Sequence, residues 1–375
     1  MRKLASIQEI KKIEPIEGAD RIELATVLGW HVVVQKGLYK EGDRVVYLEI
    51  DSVLPKKLAE QAGFKDKYLK TRKFRGAYSQ GMCLPLTVLN DTKFPYSKED
   101  IVEKAKTARW DDIDVTEYLG ITKYEPDVRN DKQWWKKQSV KTPKTWYMRF
   151  KLGRWFWRKF IYKPVSGPFP SDLIPKTDET RCQVLQNVLY AYKGTRCQYT
   201  EKLDGSSITF WIESNGQLHV CSRNREIYDK TDFMFETASK LKGKIMPGVI
   251  YQGEIIGPNI QGNKYGLTDF EIRIYQAYLR STKTYFSPQV LMQHCKDFGL
   301  KQVPVLGELT LTDNIDELVN LSIGMSALDT RTKETQREGI VVRPLENIYL
   351  NDSRFVGNRL SFKVINPKFL IKYNL

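Results

Sequence analysis

Residues 198–208 constrain the fold of this chain more than any other stretch. They are typical of a strand that ends at Lys202, turns through Leu203, Asp204 and Gly205, and returns as the second strand of a hairpin. Glycine gives the backbone freedom at the bend. After the turn, apolar residues at 208, 210 and 212 alternate with 209, 211 and 213, which predicts a half-buried strand. The stretch therefore places one lysine amine at a strand end, beside Asp204 and the amides of a small-residue turn, where a phosphate could be held.

The charge of the chain predicts a polyanionic partner. There are 60 Lys and Arg against 45 Asp and Glu, a formal charge of +15, and 12% of the residues are aromatic. Basic groups supply most of the non-specific affinity for nucleic acids, and bases stack on aromatic rings. The alternative is that the charge excess only keeps the protein in solution. We favour nucleic acid because both signals occur together.

Cysteine and histidine usage argues against a disulfide framework and a zinc site. The five cysteines are scattered without a Cys-x-x-Cys pair, and the three histidines are isolated. This pattern favours a reducing compartment. The N-terminus lacks an apolar signal-peptide core, and no run approaches the roughly 18 apolar residues of a membrane span. We therefore expect an intracellular protein (cytoplasmic, nuclear or mitochondrial), with no membrane contact and no obligate protein partner.

Length and pattern predict two domains joined by a linker. Residues 1–125 contain strand-like runs at 22–27, 30–35 and 44–50 with glycine-bearing turns, which favour an OB-like β-barrel. Within them, residues 65–75 mix cations with Tyr68 and Phe74. This segment is interpreted as a nucleic-acid groove, with a solvated loop as the alternative.

Residues 126–175 differ in composition and are interpreted as a basic, aromatic linker. Residues 145–163 combine eight aromatic side chains with six cations and no acid, and a proline-rich stretch follows. A linker that also touches nucleic acid is preferred over a membrane-surface helix, because the apolar residues keep no clean 3.6 period. Residues 176–375 are predicted to form an α+β domain. It is expected to open with a helix capped by Thr177 or Asp178, with Val184, Leu185, Val188 and Leu189 on the buried face.

Five further blocks in this domain carry residue types suited to phosphoryl transfer. In chain order they are residues 222–224 with Arg223, residues 251–257 with Glu254, the aromatic strand 270–278, residues 338–343 with Glu338 and Arg343, and residues 361–365 with Lys363. Lysine can act as a covalent nucleophile, basic side chains clamp phosphates, and carboxylates suit a hard divalent cation. Each block alone could be structural, but together they predict one site.

These blocks, taken in order, resemble the motifs of the covalent nucleotidyltransferases, the superfamily of RNA ligases, DNA ligases and mRNA capping enzymes. Lys202-Leu203-Asp204-Gly205 resembles the first motif. The lead-in at 175–181 and the N-terminal barrel are similar to the fifth RNA ligase family, ATP-dependent nick-sealing enzymes whose OB module precedes the catalytic domain. DNA ligases and capping enzymes carry that module after it, whereas only about 12 residues follow Lys363 here. The resemblance implies an ATP-grasp-like adenylyltransferase domain of antiparallel sheets and helices.

The resemblance also implies a reaction and a role for each residue. AMP from ATP is joined to Lys202, passed to an RNA 5′-phosphate, and displaced by an RNA 3′-OH in a nicked duplex or at bridged ends. Magnesium or manganese is the implied metal. The implied catalytic residues are Lys202, Asp204 and Lys363. The implied ATP-binding residues are Glu201, Arg223, Glu254, Tyr275, Glu338 and Arg343, and the implied metal residues are Asp204, Glu254 and Glu338, through water.

Two positions depart from the pattern of related ligases or fit it ambiguously. Related ligases often carry two lysines one residue apart in the last motif, whereas Ser361 and Ile365 flank Lys363 here; Lys368 and Lys372 are the nearest substitutes. Tyr275 is preferred over Ile274 and Tyr278 as the adenine-stacking residue.

The lysine nucleophile presents a physical problem, because it must be neutral to attack. Lysine has an ordinary pKa of about 10.4, and Glu201 and Asp204 are expected to raise it. We expect bound metal, with Lys363 and Arg343, to lower it. A DNA ligase, a guanylyltransferase and a non-catalytic RNA-binding protein remain alternative functions.

Overall fold

A computed structural model describes residues 3–89, 113–124, 150, 165–328 and 334–375. Residues 125–149 and 151–164, which include most of the predicted linker and of the aromatic segment at 145–163, lie outside the described residues. Strands and helices are numbered in chain order below. No helix in the described ranges has the length and apolar character needed to cross a membrane.

The N-terminal domain is built around a curled antiparallel sheet. Its described elements are β1 (Ala5–Pro15), β2 (Ile22–Val27), β3 (Trp30–Gln35), β4 (Arg44–Leu48), β5 (Ser52–Val53), α1 (Lys56–Gln61), β6 (Arg72–Phe74), β7 (Ala77–Ser79), β8 (Met82–Pro85) and β9 (Thr122–Lys123). Five strands follow the order β3-β2-β1-β4-β8, with β5–β9 and β6–β7 as separate pairs. This arrangement agrees with the expected OB-like barrel.

The long strand β1 is what curls this sheet. Its first half pairs with β4 and its second half with β2, and the register shifts between Ile10 and Lys12. Such an irregularity bends a strand and increases its twist. The neighbouring strand β4 is covered on both faces. Val46 lies in the core of the domain, while Tyr47 lies in a second cluster on the other face.

The C-terminal domain combines two sheets with helices. Its described elements are β10 (Ser166–Pro168), β11 (Thr180–Arg181), α2 (Gln186–Ala191), β12 (Arg196–Lys202), β13 (Ser206–Ile212), β14 (Leu218–Ser222), β15 (Arg225–Ile227), α3 (Phe233–Ser239), β16 (Val249–Ile256), β17 (Glu271–Leu279), β18 (Thr284–Tyr285), α4 (Pro288–Asp297), β19 (Val305–Thr310), α5 (Ile315–Ser322), β20 (Gly339–Pro344), β21 (Phe362–Ile365) and α6 (Pro367–Tyr373). One sheet has the order β10-β15-β14-β13-β16-β17-β18, and the other β11-β21-β20-β12-β19. The pairs are antiparallel except β11 with β21. The α+β class is confirmed.

The turn after Lys202 connects these two sheets, so the predicted hairpin is wrong. Strand β12 pairs with β19 and β20, whereas β13 pairs with β14 and β16. A strand–turn–strand pattern shows where the chain bends, but the partner of each strand is decided by packing elsewhere in the chain. The lysine therefore lies where one sheet passes into the other.

Strand β13 is buried on both faces, which corrects the expectation of a half-buried strand. Phe210 packs in the cluster under α3 and α4, and the neighbouring Trp211 packs in a second cluster on the opposite face. Residues 208–212 are all buried. A strand in the middle of a sheet covered on both faces is buried at successive positions, and in residues 208–212 only Thr209 is polar.

The helix expected directly after Pro175 begins later. Residues 175–179 have no regular secondary structure, and α2 begins at Gln186 without a side-chain cap. The expected cap residues make tertiary contacts instead: the Thr177 hydroxyl bonds to Tyr275, and the Asp178 carboxylate accepts from Lys363. Of the predicted buried face, Leu185, Val188 and Leu189 lie in the core of the second sheet, and Val184 packs against that core partly buried.

The two domains share a hydrophobic cluster at the C-terminus. Ile365 and, from α6, Phe369 and Leu370 pack with Trp30 and Tyr47 of the N-terminal domain. The domain limits 1–125, 126–175 and 176–375 stay a prediction. Strand β10, within 126–175, already pairs with β15 of the seven-stranded sheet.

Candidate active site

Gly205 allows the turn after Lys202 to lie against the end of β16. A Cβ added there would lie 2.4 Å from the Ile255 carbonyl oxygen and 2.9 Å from Cγ of Glu254. Its φ is outside the left-handed region. Glycine is therefore required by this close approach rather than by an unusual backbone conformation, and the approach brings Glu254 next to the turn.

Lys202 and Glu338 meet between two strands of the five-stranded sheet. Lys202 is paired with Gly339 across β12 and β20, so the preceding Glu338 faces the lysine. Nζ of Lys202 donates to Oε2 of Glu338 over 2.5 Å, with the two side chains 26% and 17% exposed. The amine thus lies in a partly closed site with a carboxylate against it.

Glu254 adds a second carboxylate from the other sheet. It is paired with Ser207 across β13 and β16, and its Oε1 accepts from the Gly205 amide over 3.2 Å. Burial raises the pKa of Glu254 to about 8; the Lys202 charge opposes this shift, and the Glu338 and Asp204 carboxylates add to it. Burial also raises the pKa of Glu338, despite the Lys202 charge. Two such carboxylates favour a bound cation.

The same carboxylates change the pKa of Lys202. Burial alone would lower the pKa of Lys202, but Glu338 and Glu254, followed by Asp204, outweigh it, and the pKa is raised. The expectation that carboxylates hold this lysine charged is met, with Glu338 in place of Glu201 as the main partner. Removing the proton therefore requires another positive charge nearby.

Asp204 is held by two residues that follow β16. Its Oδ2 accepts from Nζ of Lys264 over 2.5 Å, and its amide donates to the Tyr265 hydroxyl over 2.7 Å. The Lys264 amine also lies 4.9 Å from the centre of the Tyr373 ring, on the C-terminal helix. Sequence reasoning missed Lys264 and Tyr265, because no local pattern relates them to a turn some 60 residues earlier.

Lys363 forms a second cationic centre with Arg223. Nζ of Lys363 donates to Oδ1 of Asp178 over 2.9 Å, and Nη2 of Arg223 donates to Oδ2 of the same carboxylate over 3.2 Å. Burial lowers the pKa of Lys363 to about 8, against the effect of Asp178. For Asp178, partial burial would raise the pKa, but Lys363 and Arg223 outweigh it and lower the pKa to about 2.

The N-terminal domain contributes to this edge of the site through Arg181. In the parallel pair of β11 and β21, Arg181 lies beside Lys363. Its Nη2 donates to Oδ2 of Asp51 over 3.1 Å, and its guanidinium lies 5.5 Å from the centre of the Trp30 ring. The barrel thus holds a cation next to the predicted phosphate-binding lysine.

Tyr275 and Arg343 lie together beneath the lead-in segment. The Tyr275 hydroxyl is 2.9 Å from Oγ1 of Thr177, and its carbonyl accepts from Nη1 of Arg343 over 3.1 Å. Arg343 is buried and also donates to Ser361 and Glu179. Of the other two aromatic-block candidates, Ile274 lies in the core, and Tyr278 packs on Tyr285.

Glu201 and Ile365 face away from the lysine amine. Glu201 is buried, and its carboxylate accepts from the Ser326 hydroxyl and the Ala327 amide. Ile365, one of the two positions flanking Lys363 where a second lysine is expected, packs into the cluster between the domains. Its apolar character is explained by that burial. Of the suggested substitutes, Lys372 bonds to the Glu334 carbonyl.

The structure thus brings together Lys202, Asp204, Glu254 and Glu338, with Lys363 acting electrostatically on Glu338. Within the described residues, no three His, Cys, Asp or Glu side chains could hold a metal ion directly.

The RNA ligase family model matches residues 195–365, and an OB-fold domain model matches residues 4–86. No curated protein matches the chain.

Solved structures of Naegleria gruberi RNA ligase match both domains at once. A variant with ATP and Mn is 28% identical, with a TM-score of 0.74 and 100% of both chains covered. The complex with PPi is 29% identical, with a TM-score of 0.72 and coverage of 100% of this chain and 99% of that one. Another variant with ATP and Mn is 30% identical, with a TM-score of 0.71 and coverage of 100% and 98%. The chain therefore belongs to the RNA ligase family and carries an OB-fold domain ahead of its ligase domain.

Proposed function

We propose that this RNA ligase uses ATP to seal RNA 3′-OH and 5′-phosphate ends, as in a nicked duplex, through AMP bound covalently to Lys202. The observation that carries the proposal is the position of the Lys202 amine. It lies at the junction of two sheets and donates to Glu338, and the negative charges of Glu254 and Asp204 help to raise its pKa. The similar Naegleria enzyme was solved with ATP and with AMP, each with Mn.

The chemistry consists of three successive displacements at phosphorus, each with its own nucleophile and leaving group. Neutral Lys202 attacks the α-phosphorus of ATP; the Nζ–P bond forms and the bond to pyrophosphate breaks. An RNA 5′-phosphate oxygen then takes AMP from the lysine, forming a pyrophosphate-type linkage. Finally the RNA 3′-OH attacks that 5′-phosphate, AMP leaves, and a phosphodiester is formed.

The cations near Lys202 are assigned to the nucleotide phosphates. Lys363 would contact the α-phosphate, and Arg223 would contact the ribose or phosphate edge. Both already bind an anionic group, the carboxylate of Asp178. Guanidinium and ammonium groups bind phosphate oxygens through the same charge-assisted hydrogen bonds.

The remaining assignments concern the base and ribose. Tyr275 would stack on the adenine, and Arg343, which donates to the Tyr275 carbonyl, would hold it in position. Glu254 would bond to the ribose. Glu201, which the resemblance assigns to ATP binding, would support the nucleotide site from the buried side of β12, where it is bonded to Ser326 and Ala327.

Asp204, Glu254 and Glu338 are the residues that would hold magnesium or manganese, through water. The raised pKa values of the two half-buried glutamates favour this, because a divalent cation would compensate their crowded negative charge. When bound, the ion would supply positive charge to the phosphates and to the surroundings of Lys202. The chain's own part is to hold the lysine within reach of these carboxylates.

The RNA would be bound partly by the OB-fold domain. Its segment 65–75 presents Lys67 over the Tyr124 ring at 5.1 Å and Lys70 over the Tyr68 ring at 4.7 Å, and the two rings are stacked. Phe74 is 43% exposed at the tip of the β6–β7 pair. Cations beside aromatic rings, with the exposed Phe74 nearby, suit a phosphate backbone with unstacked bases.

Transfer of label from ATP tests the proposal. The protein is incubated with magnesium and ATP or GTP labelled at the α-phosphate, and covalent label is measured. We expect label from ATP, its loss in Lys202→Ala, and its retention in Lys193→Ala, which removes an exposed lysine paired with Asp313. Label from GTP would indicate a capping enzyme, and its absence with both nucleotides a non-catalytic RNA-binding protein.

Sealing assays then identify the nucleic acid. A nicked duplex is prepared with RNA or DNA on the 3′-OH side of the nick. We expect sealing with RNA; equal sealing with DNA on both sides would contradict the assignment to RNA ends.

A further inference from the structure

Asp178 lies between two cations that the proposed function assigns to the nucleotide. One carboxylate oxygen accepts from Lys363 over 2.9 Å and the other from Arg223 over 3.2 Å. The two cations come from different sheets: Lys363 is on β21 and Arg223 follows β14. A single carboxylate thus bridges the sheets at the edge of the site.

The segment that carries Asp178 is anchored on both sides of it. The Thr177 hydroxyl is bonded to the Tyr275 hydroxyl, and the Glu179 carboxylate accepts from buried Arg343 over 2.9 Å. Asp178 itself is 52% exposed, and its partner Arg223 is exposed to the same extent. The backbone is therefore held while the carboxylate can leave its partners by rotating into solvent.

An anion that bridges these cations uses the donors that a phosphate would need. Lys363 is only 18% exposed and its ammonium already donates to Asp178, so a phosphate that binds this ammonium competes with the carboxylate. Carboxylate and phosphate both form charge-assisted hydrogen bonds with lysine and arginine, and they repel each other at close range. Both cannot bind the pair equally well at once.

We propose that Asp178 is an exchangeable counter-anion, which neutralises Lys363 and Arg223 in the ligand-free enzyme and is displaced by phosphate oxygens of ATP. This inference rests on the proposed function for the identity of the anion. Asp178 then sets the affinity for nucleotide: it weakens ATP binding, and it supplies a replacement partner for both cations when pyrophosphate and AMP leave.

The test compares Asp178→Asn with Asp178→Glu. Asparagine keeps the shape and removes the charge, whereas glutamate keeps the charge. We measure the rate of covalent labelling by ATP as a function of ATP concentration. In Asp178→Asn the half-saturating ATP concentration should fall by about threefold to tenfold, as expected for loss of one partly exposed ion-paired competitor, while the maximal rate stays within about twofold. In Asp178→Glu both values should stay near those of the wild type.

Glu308→Gln is the matched control. Glu308 is 46% exposed and accepts from Arg196, at the opposite end of β12 from Lys202. Its removal should leave the half-saturating concentration unchanged. An unchanged or higher half-saturating concentration in Asp178→Asn, or a maximal rate that falls with it, would overturn the proposal and indicate a carboxylate that only positions Lys363.

Equilibrium binding separates this inference from the proposed function. Calorimetry with ATP on Lys202→Ala, with and without Asp178→Asn, measures affinity without any transfer. Tighter binding in the double variant supports the exchange even if the wild type forms no adduct. Equal or weaker binding refutes the exchange even if the adduct forms normally.

Discussion

The Lys202 amine donates to the Glu338 carboxylate over 2.5 Å, across the end of β12 and the start of β20. The nucleophile is thus held in place by a group that also keeps it charged. Position and protonation are controlled by the same contact, so the two effects must be separated by experiment.

Glu338→Gln should shift the pH dependence of lysine adenylation. Glu338 raises the pKa of Lys202, so removing its charge lowers that pKa and makes the neutral amine available at lower pH. At saturating magnesium, the rising limb of the pH–rate profile should move to lower pH. Glu308→Gln serves as control. A limb that stays in place would contradict the assigned role of Glu338.

Magnesium should activate the lysine. With Glu338, Glu254 and Asp204 uncompensated, the pKa of Lys202 is raised; a divalent cation among them should lower it. We expect adenylation to be lost with EDTA and restored by magnesium, and its rising limb to move to lower pH as magnesium increases. An adenylation rate that does not depend on magnesium would refute this explanation.

Glu254→Gln should change the pH dependence of stability in metal-free protein. The pKa of Glu254 rises from an ordinary 4.5 to about 8 in the folded chain. Its contribution is therefore fully present below pH 4.5 and is lost as the pH rises towards 8. Relative to Glu254→Gln, the wild type should lose about 2 kcal/mol of unfolding free energy across that range, with about 1.4 kcal/mol per pKa unit as the upper limit. Parallel unfolding curves would show that the shift is absent.

Gly205→Ala should damage the site by crowding. The new methyl group would lie 2.4 Å from the Ile255 carbonyl oxygen, so the turn must move away from β16. We expect a loss of about 1–3 kcal/mol in unfolding free energy and a severe loss of adenylation. Gly243→Ala is the control, because nothing lies within 4 Å of the added Cβ. Wild-type activity in Gly205→Ala would contradict this account of the turn.

Ile365→Lys should destabilise the protein rather than restore a second catalytic lysine. Ile365 is 5% exposed, in the cluster formed with Trp30, Tyr47 and Phe369. An unpaired ammonium there would cost more than about 2 kcal/mol, whereas Ile365→Leu should cost less than about 1.5 kcal/mol. Denaturant unfolding checks both variants; a stable and faster Ile365→Lys enzyme would show that the position faces the site.

The sequence by itself determined the elements and the residue types of the site. Strands β2 and β3 have the predicted limits, and β4 ends two residues early, at Leu48. These elements depend on side-chain alternation and glycine turns, which are local properties. The order of the six motif-like blocks likewise indicated a nucleotidyltransferase, because each block is short and contiguous and can be recognised without its spatial neighbours.

Only the tertiary structure decided which residues meet. The chain leaves Lys202 for a different sheet, Glu338 rather than Glu201 contacts the amine, and Lys264 holds Asp204. Asp178, expected to cap a helix, binds Lys363 and Arg223 instead. These pairings join residues 45 to 185 positions apart, and they depend on strand register and on burial from both faces. The local sequence pattern specifies neither the strand register nor the burial from both faces, so the ion pairs of the site can be assigned only from the assembled sheets.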